Sequence, residues 1–395
     1  MNYDEILNPR VSGMAPSGIR KFFDLANDMD DCISLGVGEP DFITPWEIRD
    51  SAIKSIQAGK TQYTSNAGLM SLRENISQYL STRFNLSYDP KDEIIVTIGA
   101  SEAIDMALRT VVDYGEEVLI PDPSYVSYYP NVSLVGGVAV PVVLNGDNGY
   151  KITANDIEKA VTPKTKAIIF PYPNNPTGAI MTKEEMEEIL PVIKKHNLIV
   201  ISDEIYAELN YTDEGHCSIA SLDGMRERTI VLNGFSKSFA MTGWRLGYFC
   251  APREITTQAY KVHQYTIMCA PTFSQYGGLK ALSEGLSDGF TAVEKMRRSY
   301  DARRKFLYGE FMDMGLTCYE PKGAFYIFPS VKKTGLSGTE FAERLLKAKH
   351  VAVVPGTAFG NAGKDSVRCC YATALDDLKT ATKRIREFMR ENGWL

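Results

Sequence analysis

Between residues 94 and 250 the chain alternates two patterns of apolar and polar positions. Seven short runs rich in β-branched residues, Ile94–Ile98, Val118–Ile120, Val138–Val143, Ala167–Phe170, Ile199–Ser202, Ile230–Asn233 and Leu246–Cys250, are separated by segments with helical spacing. Near-continuous apolar runs suit strands buried on both faces, because βαβ crossovers lay helices over both sides of a parallel sheet. The pattern predicts an α/β fold built on a mainly parallel seven-stranded sheet between helices.

The last hundred residues read differently. A long charged helical pattern from about Ala292 to Met314 precedes an apolar run at Ala324–Phe328, a helix near Gly338–Lys349, further runs at Val351–Val354 and Val367–Tyr371, and a closing helix. This predicts a smaller α+β unit, completed by the N-terminal segment. We expect a large domain over 46–281 and a small one from 1–45 and 282–395. No Ser/Gly-rich linker parts them, so a shared interface holding the site is expected.

Composition narrows the function classes. A formal net charge of -6 with no dense Lys/Arg block gives nothing to neutralise a nucleic-acid backbone. The seven cysteines are scattered among mostly apolar neighbours with no C-x-x-C pair, which reads as reduced, buried thiols and neither zinc nor disulfides. Met1 to Arg10 is polar and acidic, unlike a signal peptide, and no apolar run approaches the ~20 residues of a membrane span. A cytoplasmic protein that uses neither metal, membrane nor nucleic acid is the expectation.

In parallel sheets ligands bind beyond the carboxyl ends of the strands, so residues just after each run are read for chemistry first. Lys237 lies in Asn233-Gly-Phe-Ser-Lys-Ser-Phe-Ala-Met-Thr-Gly-Trp-Arg245, directly after one such run. A lysine near apolar surface and other cations favours its neutral amine, the form that attacks an aldehyde. A pyridine aldehyde cofactor further needs an acid beside its ring nitrogen, a donor for its phenolate oxygen and a phosphate cradle. Asp203 and Tyr206 in Asp-Glu-Ile-Tyr, Asn175 in Pro-Asn-Asn-Pro-Thr-Gly, and the Gly99-Ala-Ser-Glu-Ala103 junction with Ala100 and Ser101 at a helix start could supply them. Each has a plainer reading by itself: a solvated lysine, a helix-capping Asp, ordinary turn chemistry.

Taken together the chain resembles, over nearly its whole length, the class I/II aminotransferases of pyridoxal-5′-phosphate (PLP) fold type I. That resemblance implies that Lys237 carries the cofactor, that Asp203, Tyr206 and Asn175 bind its ring, and that Arg245 holds its phosphate. It implies that Tyr125, in Pro-Ser-Tyr, stacks on the ring, where relatives carry Trp as an alternative. Arg368 in Val-Arg-Cys-Cys-Tyr-Ala matches the residue that grips the substrate α-carboxylate, a task suited to a planar bidentate donor, and Gly38 offers a backbone contact to the same group. Tyr63 in Gln-Tyr-Thr-Ser-Asn-Ala-Gly68 matches a tyrosine that reaches the neighbouring subunit's cofactor phosphate, implying a homodimer with composite sites. One departure stands out: relatives place a phosphate-binding Ser three residues before the lysine, where this chain has Gly234, and Ser236 is the substitute hydroxyl.

The segments Ser17–Phe22, Ile98–Asp105 and Lys261–Tyr265 look most like the branch holding N-acetyl-LL-diaminopimelate aminotransferases, with aspartate and aromatic aminotransferases close behind. Arg20 and Lys21 are either contacts for a distal substrate carboxylate or an ordinary solvated pair, and glutamate with 2-oxoglutarate is the expected exchange pair. The alternatives are a PLP-dependent carbon–sulfur β-lyase on the same fold and, more remotely, a non-catalytic aminotransferase-like regulator.

Overall fold

The computed structural model describes residues 1–16, 18, 29 and 31–395. Arg20 and Lys21 lie outside the described residues.

The seven runs form one sheet of β2 (Ile94–Thr97), β3 (Glu117–Asp122), β4 (Val138–Val143), β5 (Thr165–Phe170), β6 (Ile199–Asp203), β7 (Thr229–Gly234) and β8 (Gly247–Cys250), in the order β2-β8-β7-β6-β5-β3-β4. Neighbours from β7 through β4 pair in parallel, whereas β8 runs antiparallel to both β7 and β2. Six strands therefore point one way and end at one edge, and β8 alone starts there.

Alternation along the strands divides the core. Leu119, Ile168 and Val200 face one buried cluster, while Val118, Ile120, Ala167, Ile169, Ile201 and Leu232 face another. Each of the Val, Leu and Ile side chains removed from water contributes roughly 1.5–3 kcal/mol. The helices over these faces start on local signals; Thr182 and Glu185, for example, form a reciprocal capping box before the helix Lys183–Lys195.

Outside the large sheet lie a three-stranded antiparallel sheet, β11 (Val354–Pro355), β12 (Val367–Cys370) and β9 (Tyr326–Ile327), and a parallel pair of the N-terminal β1 (Ile33–Ser34) with β10 (Val351–Ala352). The single run expected at Val351–Val354 is thus two short strands in different sheets. Leu35, which follows β1, is buried in one cluster with Phe341, Val353, Cys369 and Phe388. The seven cysteines are all free. No helix among the described residues is long and apolar enough to cross a membrane.

Candidate active site

The common edge of the sheet brings distant segments together. Gly99 follows β2, Tyr125 follows β3, Asn175 follows β5, Asp203 ends β6, Lys237 follows β7 and Arg245 precedes β8. With Arg368 of β12, Gly38 of the loop after β1 and Ala100 next to Gly99, the residues Tyr125, Asn175, Asp203, Lys237 and Arg245 surround a cavity of about 330 Å³. Of the residues singled out in the sequence, Lys237, Asp203, Tyr206, Ala100, Ser101, Tyr125, Asn175, Ser236, Arg245, Gly38 and Arg368 all line it. Tyr63 does not: it stands 79% exposed on the surface of the chain.

Lys237 sits in a single helical turn, Phe235–Ser238, and its Nζ donates to the Gly38 carbonyl at 2.6 Å. Burial is the largest influence on its amine, joined by the nearby Arg368 and Arg245 and opposed by Cys370 and Glu39, and the net effect lowers its pKa to about 8. About a tenth of the amine is then neutral at pH 7.

Asp203 is buried, and burial raises its carboxyl to about 6 despite two donors, Tyr128 Oη to Oδ2 at 2.8 Å and the Ile205 amide to Oδ1 at 3.2 Å. A carboxylate held this way gains from a cation placed beside it in the cavity. Tyr206 lies on a turn three residues on, so the helix cap considered for Asp203 is absent.

Arg368 is 2% exposed, donating from Nη1 to Asn175 Oδ1 at 3.0 Å and from Nη2 to the Gly36 carbonyl at 2.6 Å. Its guanidinium lies over the rings of Tyr326 and Phe359 at 4.3 and 4.8 Å, and its buried Nε has no hydrogen-bond partner among the described residues. Because Asn175 Oδ1 is taken, the amide NH₂ is the group Asn175 keeps for a ligand. A buried cation with an unused donor is prepared for an anion.

The opposite wall is formed by the helix Gly99–Val111, whose N-cap Ile98 supplies no side-chain cap, so its first-turn amides remain for a ligand. Gly99 has φ +66°, and a Cβ there would come within 2.8 Å of Arg245 Nη2. Arg245 itself has φ 50°, a left-handed conformation uncommon outside glycine, and is held by Nη1 to the Thr242 carbonyl at 2.9 Å. The space opposite Gly234 is closed: a Cβ there would meet the Leu246 carbonyl at 2.9 Å. Ser236 lies on the cavity wall instead.

Sequence reasoning missed three participants. Tyr128 opens the helix Tyr128–Leu134 and could have been found from its i+3 spacing to Tyr125. Tyr326, hydrogen-bonded to Tyr206 Oη at 3.0 Å, reads in sequence only as one residue of an apolar run. The Gly36 carbonyl carries no sequence signal.

Fold and site together point to one enzyme class: a buried lysine and a buried acid facing one cavity, with an uncapped helix N-terminus and a buried arginine on its walls, at the carboxyl edge of an α/β sheet. The chain matches the class I and II aminotransferase family over residues 30–385, and it belongs to that family of PLP-dependent enzymes. It is 48% identical to the aspartate aminotransferase of Pyrococcus abyssi over 98% of both chains. A Bacillus subtilis protein named for N-acetyl-LL-diaminopimelate aminotransferase activity is 42% identical over 98% of this chain and 96% of its own. Among solved structures, the aromatic aminotransferase of Pyrococcus horikoshii superposes with a TM-score of 0.90 at 47% identity, covering 95% of this chain and 100% of that one. The enzyme is an aminotransferase of amino-acid metabolism.

Proposed function

We propose that this chain binds PLP through Lys237 and moves an amino group between an L-amino acid and a 2-oxo acid, with glutamate and 2-oxoglutarate as one exchange pair. The observation that carries the reading is the buried Lys237 amine, with a pKa near 8, facing the same cavity as the buried Asp203 carboxyl. The residues present fit the cofactor: Gly99 leaves room for Arg245 beside the helix N-terminus, and Arg368 keeps a buried unpaired donor for a second anion.

In this reading Ala100, Ser101, Ser236 and Arg245 hold the phosphate. Asp203 keeps the ring nitrogen protonated, while Asn175 and Tyr206 donate to the phenolate oxygen and Tyr125 covers the ring. When bound, PLP supplies the aldehyde carbon that accepts the amino group and a ring that takes up the electron pair of the broken Cα–H bond. Lys237 Nζ, freed once the substrate amine has replaced it on the cofactor, would be the base that removes the Cα proton. Arg368, with Gly38 beside it, binds the α-carboxylate and orients that Cα–H bond. The chain then divides into 46–281 and 1–45 with 282–395, the cavity lying between the parts.

Tyr63 completes the site in a homodimer, reaching the phosphate of a second copy. The exposure of Tyr63 and Tyr265, at 79% and 86%, supports an interface there. For substrate, we infer an amino donor with an acidic or aromatic side chain or an N-acylated diamino acid, the classes for which the similar proteins are named.

The test is chemical trapping. Protein reconstituted with PLP, reduced with borohydride and digested should carry the cofactor mass on the Lys237 peptide by mass spectrometry. Attachment to another lysine, or none, would overturn the assignment.

A further inference from the structure

Tyr326 touches three of the residues to which the proposed function gives work. Its hydroxyl lies 3.0 Å from Tyr206 Oη, its ring backs the Arg368 guanidinium at 4.3 Å, and a Cβ on Gly38 would come within 2.5 Å of its oxygen. Glycine at position 38 therefore makes room for this hydroxyl. The ring is also packed at 78° to that of Tyr206, with centroids 5.8 Å apart, so both hydroxyls are held in place by buried aromatic packing.

Seen alone, either hydroxyl of the pair could be the donor. The ambiguity ends once Tyr206 acts on a ligand. A phenol has one proton, and if Tyr206 gives its own to an oxygen in the cavity, the Tyr206–Tyr326 bond survives only with Tyr326 as donor. Among the described residues Tyr206 is the sole hydrogen-bond partner of the Tyr326 hydroxyl, so its proton has no competing destination.

We propose that Tyr326 is a positioning residue of this site: its hydroxyl donates to Tyr206 and so aims the Tyr206 proton at the cofactor's ring oxygen, while its ring holds the Arg368 clamp. This rests on the reading of the site given above. One side chain thereby links the cofactor donor to the carboxylate clamp. The charged and titratable groups facing the pair are Arg368, Cys370 and Tyr125, with Lys237 Nζ 5.9 Å from the Tyr206 ring centroid. Burial holds both phenols well above their ordinary range, so both keep the proton they donate.

The two functions separate in two variants, because Tyr326→Phe keeps the ring and removes only the hydroxyl, whereas Tyr326→Leu removes both. Chained hydrogen bonds strengthen one another by about 10–30%, so losing the first link weakens the Tyr206 donation and the bound cofactor's ring oxygen becomes more basic. In PLP-loaded Tyr326→Phe, the midpoint of the visible absorbance against pH should rise by about 0.2–0.7 unit, with KM for the amino donor moving less than about three-fold. In Tyr326→Leu the midpoint should rise similarly and KM should increase about 30-fold, the equivalent of the about 2 kcal/mol of a desolvated cation–π contact.

An unchanged midpoint in Tyr326→Phe would overturn the hydroxyl's role, and an unchanged KM in Tyr326→Leu the ring's. Borohydride trapping on the same samples separates the levels: PLP missing from Lys237 in the wild type overturns the underlying site reading and this inference with it, whereas trapping with unmoved midpoint and KM overturns this inference alone.

Discussion

The Tyr128 hydroxyl donates to Asp203 Oδ2 at 2.8 Å, with both side chains buried beneath the cavity. This bond favours the ionised carboxyl, working against the burial that has raised it to about 6. Tyr128→Phe removes the favourable influence and lifts Asp203 further. A hydrogen bond to a charged group contributes about 1.5–3 kcal/mol, so the apoprotein should bind PLP about 10- to 100-fold more weakly. The loss should be larger at pH 6 than at pH 8, because more of the carboxyl is protonated at the lower pH. Equal affinities for wild type and variant in a cofactor titration would show that Tyr128 leaves Asp203 unaffected.

Arg368 reaches Asn175 and the Gly36 carbonyl through both Nη atoms and keeps Nε unpaired. Arg368→Lys preserves the charge but not the planar fork. We expect KM for amino acids to rise about 100-fold, equivalent to about 2.7 kcal/mol, with PLP affinity nearly unchanged. An unchanged KM in steady-state kinetics would place the carboxylate elsewhere.

In the proposed reading the neutral Lys237 amine is the nucleophile for cofactor uptake, and burial brings its pKa down to about 8. Its neutral fraction rises about ten-fold between pH 7 and pH 9 and changes little above that, so the rate of PLP uptake by apoprotein should follow the same curve. Replacing the neighbouring cation, as in Arg245→Gln, removes an influence that lowers the amine's pKa, and the curve should move to higher pH. Stopped-flow absorbance measures both; a flat profile would contradict them.

His263 is buried with acceptors at both ring nitrogens: Glu102 Oε1 lies 2.5 Å from Nδ1 and the Asn66 carbonyl 2.8 Å from Nε2. The ring faces the Asn66 carbonyl through Nε2 and the Glu102 carboxyl through Nδ1. The contact ties the loop carrying Tyr63 to the first turn of the helix Gly99–Val111. His263→Ala leaves Glu102 with only the Ile98 amide, which donates to its Oε2, and should destabilise the fold by about 1–3 kcal/mol in chemical denaturation. A change below about 1 kcal/mol would mean that Glu102 relaxes into solvent.

Much of this was legible in the sequence because buried strands impose a continuous apolar run, and the ends of those runs mark one edge of a sheet. Asp203, Asn175 and Lys237 stood out on that basis, and the family resemblance added Arg245, Arg368 and Tyr125. The fine pairing was not legible. Nothing in Ala324–Phe328 distinguishes Tyr326 as a partner of Tyr206, since residue 326 meets residue 206 only through the packing of β9 beside the main sheet. The split of Val351–Val354 into β10 and β11 was hidden for a related reason: Val353 is buried like its neighbours while the backbone changes partners around it. Arg20 and Lys21 lie outside the described residues.

The central claim is amino-group transfer, and a single half-reaction tests it most directly. PLP-loaded protein is mixed with one amino acid at a time, glutamate, aspartate, an aromatic amino acid, cystathionine and N-acetyl-LL-diaminopimelate, with no oxo acid present, while cofactor absorbance is followed and products are identified by mass spectrometry. The account predicts that at least one amine yields its 2-oxo acid at about one equivalent per subunit, leaving the cofactor in its amino form until an oxo acid restores it. Continuous release of pyruvate and ammonia with the original absorbance regained would instead identify a lyase and contradict the claim.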